Sequence, residues 1–272
     1  MYVLGRRAPL CFGLILVVLA MALMIAPAHA KPRAVWQSLE PGPTGRVVRV
    51  VDGDTLEMAS GRHVRLVGLS APELNGAGGP ELGAFMAHKA LEDIVLGHEI
   101  QLFYGGAQTD RYGRALAHIW RLKNGQPDLW VQAALLRAGA VRVYSFDDNR
   151  ALVAEMRAAE ATARQHNKGL WAHPFYAIQP AEAVTARNRF TIVEGTVKAA
   201  KRARKHVFLD FGEDWQTDFS VRIATKDLKR FGKKQAPLRL EGKRVRVRGW
   251  VFYKNGPSMQ ITHPEAIEIL AD

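Results

Sequence analysis

Arg46-Val47-Val48-Arg49-Val50-Val51-Asp52-Gly53-Asp54-Thr55-Leu56-Glu57-Met58 is the stretch on which the fold turns. Runs rich in valine and leucine lie on either side of Asp52-Gly53, a dipeptide suited to a tight hairpin turn, so residues 46–58 read as two strands. Residues 63–69 read as a third, and a curled meander opens the domain. Downstream, Leu82, Phe85, Met86, Ala90 and Ile94 recur at helical spacing across 81–96, and Gly97 closes that helix. Strands follow at 99–104 and 114–121. A second helix at 129–138, with Asp128 as its cap and Gly139 as its stop, leads to a short strand at 141–144. A third helix at 150–167, capped by Asp148 or Asn149, ends at Gly169. Strands with a few helices packed on them predict a mainly β domain with α (α+β), and the order is compatible with a small barrel.

Outward from this domain the chain changes character. Arg6 and Arg7, an apolar run over 10–25, and Ala28-His29-Ala30 form a secretory signal over residues 1–30, with cleavage after Ala30. The run falls short of the roughly 20 residues of a spanning helix, so a secreted or periplasmic protein without stable membrane insertion is expected. Cys11 is the only cysteine and lies inside that signal, which leaves the mature chain no disulfide and no cysteine metal site. Residues 31–45, rich in proline and glycine, read as a disordered lead, and 46–172 as the first domain. The periodic pattern lapses over 173–188, which reads as a linker. A second domain, 189–272, has candidate strands at 191–198, 206–211, 219–223, 244–252 and 258–262 and a helical stretch at 226–231. That count suits a second barrel, five-stranded and of OB type.

Charge is unevenly spread. The formal net charge is +12, and residues 189–272 hold 18 Lys and Arg against 10 Asp and Glu, while 31–172 hold 17 against 15. The second domain therefore carries the field that favours polyanions, whether nucleic acid or anionic envelope polymers.

Three clusters in the first domain bear on chemistry: Val51-Asp52-Gly53-Asp54-Thr55, then Val64-Arg65-Leu66 running on to Ala71-Pro72-Glu73, and Thr109-Asp110-Arg111-Tyr112-Gly113-Arg114. Any one alone is explained by turn chemistry. In this order and spacing, from residue 46 to Trp171, they resemble the staphylococcal-nuclease (thermonuclease) family. The resemblance implies a five-stranded OB-type barrel with three helices and calcium-assisted hydrolysis of phosphodiester bonds in DNA or RNA. It implies a calcium-binding carboxylate at Asp54, phosphate-gripping arginines at Arg65 and Arg114, and at Glu73 the carboxylate that activates water. Where the family places a second calcium-binding aspartate this chain has Ser70, a neutral and weaker ligand, while Ala71 still offers a backbone carbonyl. Each role is also sound chemistry. Calcium, or another divalent metal, prefers oxygen ligands, and planar guanidinium groups meet the charge that develops on phosphoryl oxygens.

The remaining candidates concern binding. Tyr112 and Tyr144 are placed to stack on bases near the site. In the second domain Lys201, Arg202, Arg204 and Lys205 form a basic run between the first two expected strands, a loop that often touches nucleic acid in OB barrels. Arg244, Arg246 and Arg248 alternate with smaller apolar residues, giving one strand a basic face. Phe208, Phe211, Trp250 and Tyr253 lie nearby as stacking groups. No base-reading motif is visible, so backbone affinity without sequence preference is expected. The expected function is an exported, metal-dependent nuclease acting on DNA or RNA; the alternative is a non-catalytic nucleic-acid binder whose metal site has lapsed at Ser70.

Overall fold

Thirteen consecutive residues of extended backbone, β1 (Glu40–Asp52), form the long strand on which the first barrel closes. In this computed structural model, residues 1–2, 34–76, 78–233 and 236–271 are described; residues 3–30 of the expected export signal, with Cys11, lie outside them. β1 turns through Gly53-Asp54 into β2 (Thr55–Met58), with Asp52 paired to Thr55, so the two-residue turn falls one position later than the sequence suggested. β2 pairs with β3 (His63–Leu66), and a further short strand, β4 (Leu69–Ser70), follows Gly68. After α1 (Ala84–Val95) come β5 (Glu99–Tyr104), β6 (Ala115–Lys123) and β7 (Gln126–Trp130). The barrel closes because β1 also pairs with β5, β5 with β6, and β6 with β3 in a parallel ladder.

α2 (Val131–Ala138), β8 (Arg142–Val143) and α3 (Val153–Gln165) complete this half. All three helices pack into one core with the barrel strands, including Leu91, Leu135 and Met156. The start of α2 is a correction: 126–130 is the return strand of a hairpin, because Asn124 and Gly125 both take positive φ and make the tight turn. The face of α1 also differs. Ala84, Ala87, Leu91 and Val95 are its buried stripe, and Leu82, Phe85 and Met86 face solvent.

At the far end of α2 the chain stops on Gly139, at φ 70°, with its amide bonded back into the last turn. A side chain there would collide with the carbonyl oxygen of Lys168, and one on Gly169 would lie 2.5 Å from the carbonyl oxygen of Gly139. Leu170 N donates to Gly139 O at 2.8 Å across this contact.

The lead is ordered from Val35. Residues Val35–Ser38 form a 3-10 turn and Glu40 already pairs with Tyr104, because extended proline-containing backbone serves well as an edge strand. The segment read as a linker is likewise packed. Pro174–Tyr176 and Ala181–Ala183 are 3-10 turns, β9 (Gln179–Pro180) lies beside the second barrel, and Tyr176, Ala181 and Ala186 are buried.

The second sheet comprises β10 (Arg189–Thr196), β11 (Ala199–Ala203), β12 (His206–Asp210), β13 (Ser220–Ala224), β14 (Arg244–Tyr253), β15 (Pro257–Ile261) and β16 (Ile267–Ile269). Only two residues separate β10 from β11. Counted as one bent strand, they pair with β14 at one end and β12 at the other, and β13 meets β15 in parallel. The sequence of ladders is that of the first barrel, around a second core that includes Val221, Val247 and Met259. Residues 225–230 form a 3-10 helix.

The two barrels are joined through a buried polar and aromatic seam. Glu160 of α3 is fully buried; it accepts from Arg248 of β14 at 2.9 Å and from the amide of Val143 at 2.7 Å. Arg248 also donates to Val143 O at 3.1 Å. Around this pair Arg142 lies over the rings of Tyr176 and Phe190, and Arg150 grips Glu265 with two bonds of 2.7 Å. Among the described residues no helix is long and apolar enough to cross a membrane.

One buried group ties stability to acidity. His118 of β6 is buried beside Trp130, and burial pushes its imidazole down to about 3 against one opposing backbone hydrogen bond with Ala151. Unfolded, it titrates near ~6.5, so between these values the unfolded chain holds the extra proton and acid favours unfolding by about 1.4 kcal/mol per pH unit. The contribution is whole above that range and is lost as pH falls through it. Urea unfolding at pH 7 and pH 4.5 should show wild type losing about 2–3 kcal/mol more than His118→Gln. Equal losses would remove this account.

Candidate active site

The hairpin turn between β1 and β2 supplies two carboxylates that reach the same downstream segment. Asp52 Oδ1 accepts from its neighbour Gly53 N at 2.8 Å and from Leu74 N at 3.3 Å. Asp54 Oδ2 accepts from Ala71 N at 3.2 Å, and its Oδ1 accepts from the hydroxyl of Thr55 at 3.0 Å. The stretch holding Ser70, Ala71 and Glu73 is thereby pinned against the barrel turn. Asp54 is buried and its Oδ2 makes a close ionic contact with Nη1 of Arg65, outside hydrogen-bond alignment; Nη2 of Arg65 donates to Leu69 O at 3.2 Å. Burial raises the Asp52 carboxyl above the usual carboxylate range, and the charge of Asp54 adds to the rise; the amides of Gly53 and Leu74 and the charge of Arg65 oppose it. Negative charge is thus crowded at this turn.

Arg114 enters from the other side of the parallel ladder. Arg65 pairs with Leu116, and Arg114 stands two residues before Leu116, just ahead of the first residue of β6, so extending the alternation of that strand by one step puts Arg114 on the side of Arg65. Strand geometry separates their backbones by roughly 7 Å along β6 and roughly 5 Å across. The guanidinium of Arg114 is held by Asp110, Nε to Oδ2 at 2.7 Å, and Asp110 also accepts from the amides of Tyr112 and Arg114. Burial would raise the Asp110 carboxyl, but these bonds and the charge of Arg114 bring it below its ordinary value. Asp110 is a holding residue that sequence reading left without a role. Its position at the start of the Asp110-Arg111-Tyr112-Gly113-Arg114 turn was the signal.

Glu73 is exposed. Its amide donates to Glu81 Oε2 at 2.9 Å and its carbonyl accepts from Glu81 N at 2.9 Å, closing the loop before α1. Its carboxylate lies over Gly76, where a side chain would come within 3.4 Å of Oε2. The structure therefore joins Asp54, Arg65 and Ala71 by direct contacts and sets Glu73 two residues further along the same pinned segment. Among the described residues no ion pair links Glu73 or Arg114 to Asp54 or Arg65. Ser70 pairs with Arg142 through the β4–β8 ladder.

The donor set matters for a metal. Among the described residues no group of three or more His, Cys, Asp or Glu is clustered for one. The oxygen donors that this turn brings together are the carboxylates of Asp52 and Asp54, with Asp54 already paired to Arg65, so a divalent cation held here would have to keep much of its water shell.

Several expected binding residues are engaged elsewhere. Arg248 is buried against Glu160, Arg246 lies between Glu194 and Glu268, and the exposed Arg244 is bonded to Glu194 at 2.6 Å. The basic face of β14 is thus neutralised, because acidic residues of β10, β16 and α3 stand beside it. Tyr144 is covered by Phe146 and Phe190, with centroids 4.7 and 4.8 Å away, and belongs to the seam. Phe211 is core. Tyr112 remains exposed, with the Arg111 guanidinium 4.7 Å from its ring centroid. Lys201 is paired with Asp210 at 2.7 Å, while Arg202, Arg204 and Lys205 lie at the β11–β12 hairpin.

Comparison with known proteins bears on the first barrel. A family model described as "Staphylococcal nuclease homologue" matches residues 63–173, which include Arg65, Ser70, Glu73 and Arg114 and begin just after Asp54. "Protein ParB" of Escherichia coli is 33% identical over 169 residues, covering 60% of this chain and 84% of that protein. An "Uncharacterized endonuclease" of Escherichia coli O157:H7 is 34% identical over 131 residues, 47% of this chain and 76% of its own. "Micrococcal nuclease" of Shigella flexneri is 31% identical over 137 residues, 48% and 74% of the two chains. With a barrel closed by one parallel ladder, the turn carboxylates bonded to the segment after β4, and relatives matched over most of their length, the chain belongs to the family of staphylococcal nuclease homologues.

Proposed function

We propose that this protein is an exported nuclease that hydrolyses phosphodiester bonds of DNA or RNA on the outer face of its first barrel. The observation that supports this best is the direct tie among Asp54, Arg65 and the 70–74 segment, with Arg114 two residues before Leu116, the ladder partner of Arg65. Arg65 and Arg114 meet the non-bridging oxygens of the scissile phosphate, where each planar fork donates paired hydrogen bonds. Glu73, exposed at the rim, takes a proton from the attacking water. Asp110 keeps the Arg114 guanidinium oriented toward the phosphate. Calcium or another divalent ion held by Asp54, the Ala71 carbonyl and, weakly, Ser70 would neutralise charge developing on the phosphoryl oxygen. Export is read from the signal-like sequence of residues 1–30, which would put the enzyme in the periplasm or outside the cell.

Purified protein incubated with plasmid DNA and with RNA, in calcium, magnesium and manganese separately, should yield shortened polymers in at least one metal. Both polymers surviving in all three would sink the proposal. Ser70→Asp adds a carboxylate to the donor set, so the metal concentration giving half-maximal cleavage should fall in the variant. An unchanged midpoint would mean that residue 70 does not face the ion.

A second reading has one observation in its favour: Arg65 already neutralises Asp54, as a cation would. On that reading the chain holds nucleic acid without cutting it, and binding would weaken with salt while no turnover appears.

A further inference from the structure

The second barrel has a cavity of about 750 Å³ on the outward face of β11, β12 and β13. Alternation along these strands sends Val207, Leu209, Val221 and Ile223 into the core and leaves Phe208 and Arg222 facing out. The ladders set Lys201 opposite Phe208 and Phe208 opposite Arg222, so the ring is flanked by a cation on each side. The Arg222 guanidinium lies 5.4 Å from the Phe208 centroid. A second aromatic wall is Trp215, 51% exposed on the turn after β12. That turn is fixed: Asp214 accepts from Gln216 N and from the Thr217 hydroxyl, each at 3.0 Å, and Asp218 accepts from Asp214 N at 2.9 Å. Gly256 backs it so closely that a side chain there would lie 2.5 Å from the Thr217 carbonyl oxygen.

Apart from Lys201, the cations at this cavity are free of carboxylate partners, unlike those of β14. Its one acidic side chain, Asp210, is occupied by Lys201. Among the described residues no ion pair engages Arg204, Lys205, Arg222 or Lys254. Two aromatic faces about a cationic floor suit a ligand that alternates flat rings with negative charges. A duplex hides its base faces, whereas a single strand offers them. In barrels of this ladder order, the second and third strands with the loops after the first and fourth are a common oligonucleotide surface.

We propose that this cavity binds single-stranded nucleic acid, with Trp215 and Phe208 stacking on unpaired bases and Arg204, Lys205, Arg222 and Lys254 meeting the adjoining phosphates. The site rests on the reading of the chain as directed to nucleic acid, and it lies on a different barrel from Asp54 and Arg65. It gives a nuclease a hold on unpaired stretches apart from the place where bonds break.

The test is fluorescence anisotropy of the whole protein with a labelled single-stranded oligothymidine, in chelator so that the strand stays intact. Trp215→Ala, at an exposed turn position outside the core, should weaken binding about 10-fold, and Trp215→Phe should recover part of the loss. Arg222→Ala should flatten the salt dependence. A duplex of equal length should bind more weakly and be indifferent to Trp215. Unchanged affinity in Trp215→Ala, no binding of the single strand, or an equal loss with heparin as the probe would each overturn the site. Plasmid cleavage separates the two ideas. Trp215-dependent binding without cleavage in any metal removes hydrolysis and leaves the cavity standing, while cleavage with Trp215-independent binding removes the cavity alone.

Discussion

Glu160→Ala is expected to lower the unfolding free energy by about 3–5 kcal/mol. The variant leaves Arg248 charged and buried, with its opposing Nη groups short of partners, and leaves the amide of Val143 without its acceptor. Arg142 and Arg157 stand near the same carboxylate, and both are already pushed down to about 10, first by burial. Removing the fully buried anion therefore concentrates like charge in a dry seam. Urea unfolding at neutral pH measures the loss, and the transition should broaden or split if the barrels cease to unfold together. Replacing both partners by apolar residues, Glu160→Leu with Arg248→Met, should recover most of it, since a buried pair contributes little net stability over well-packed hydrocarbon. A loss below about 1 kcal/mol in the single variant would mean that water reaches the pair, as at an exposed bridge.

Glu73→Gln should lower kcat about 10²–10⁴-fold while KM moves little. The side chain is exposed and its loop is closed by main-chain bonds to Glu81, so the amide leaves the fold and phosphate contacts in place. What it loses is the ability to accept a proton. The split between constants is the sharper readout: Glu73→Gln should act on kcat, whereas Asp110→Asn, which loosens the Arg114 guanidinium, should mainly raise KM. Full activity in Glu73→Gln would assign the proton transfer to another group.

Much of this arrangement was legible in the chain. The valine-rich run before Gly53, the arginine two strands later and the proline-glutamate step are local patterns, and local patterns fix which strand each residue occupies. The return strand 126–130 was hidden because Leu129 and Trp130 fit a helical stripe as well as a ladder, and Asn124-Gly125 was the overlooked turn signal. Arg244, Arg246 and Arg248 do share a face, as alternation requires, but the sequence of one strand does not say what stands opposite it. Glu160 carried the missing hint. It falls at a core position of α3, in step with Val153, Met156 and Ala163, and a carboxylate there requires a buried partner. Trp215 and Arg222 escaped notice because the cavity they line is assembled from ladders and a turn, with no contiguous motif.

The contact at Gly139 and Gly169 has a consequence for how this protein can change over generations. Gly139 tolerates only hydrogen because of the Lys168 carbonyl and Gly169 because of the Gly139 carbonyl; both obstacles are main chain, so neither can be relieved by altering a side chain. A drifting lineage can recolour the seam or the cavity one residue at a time, but at this crossing it has no intermediate step to take. The pair should stay as it is for as long as α2 and the tail of α3 meet.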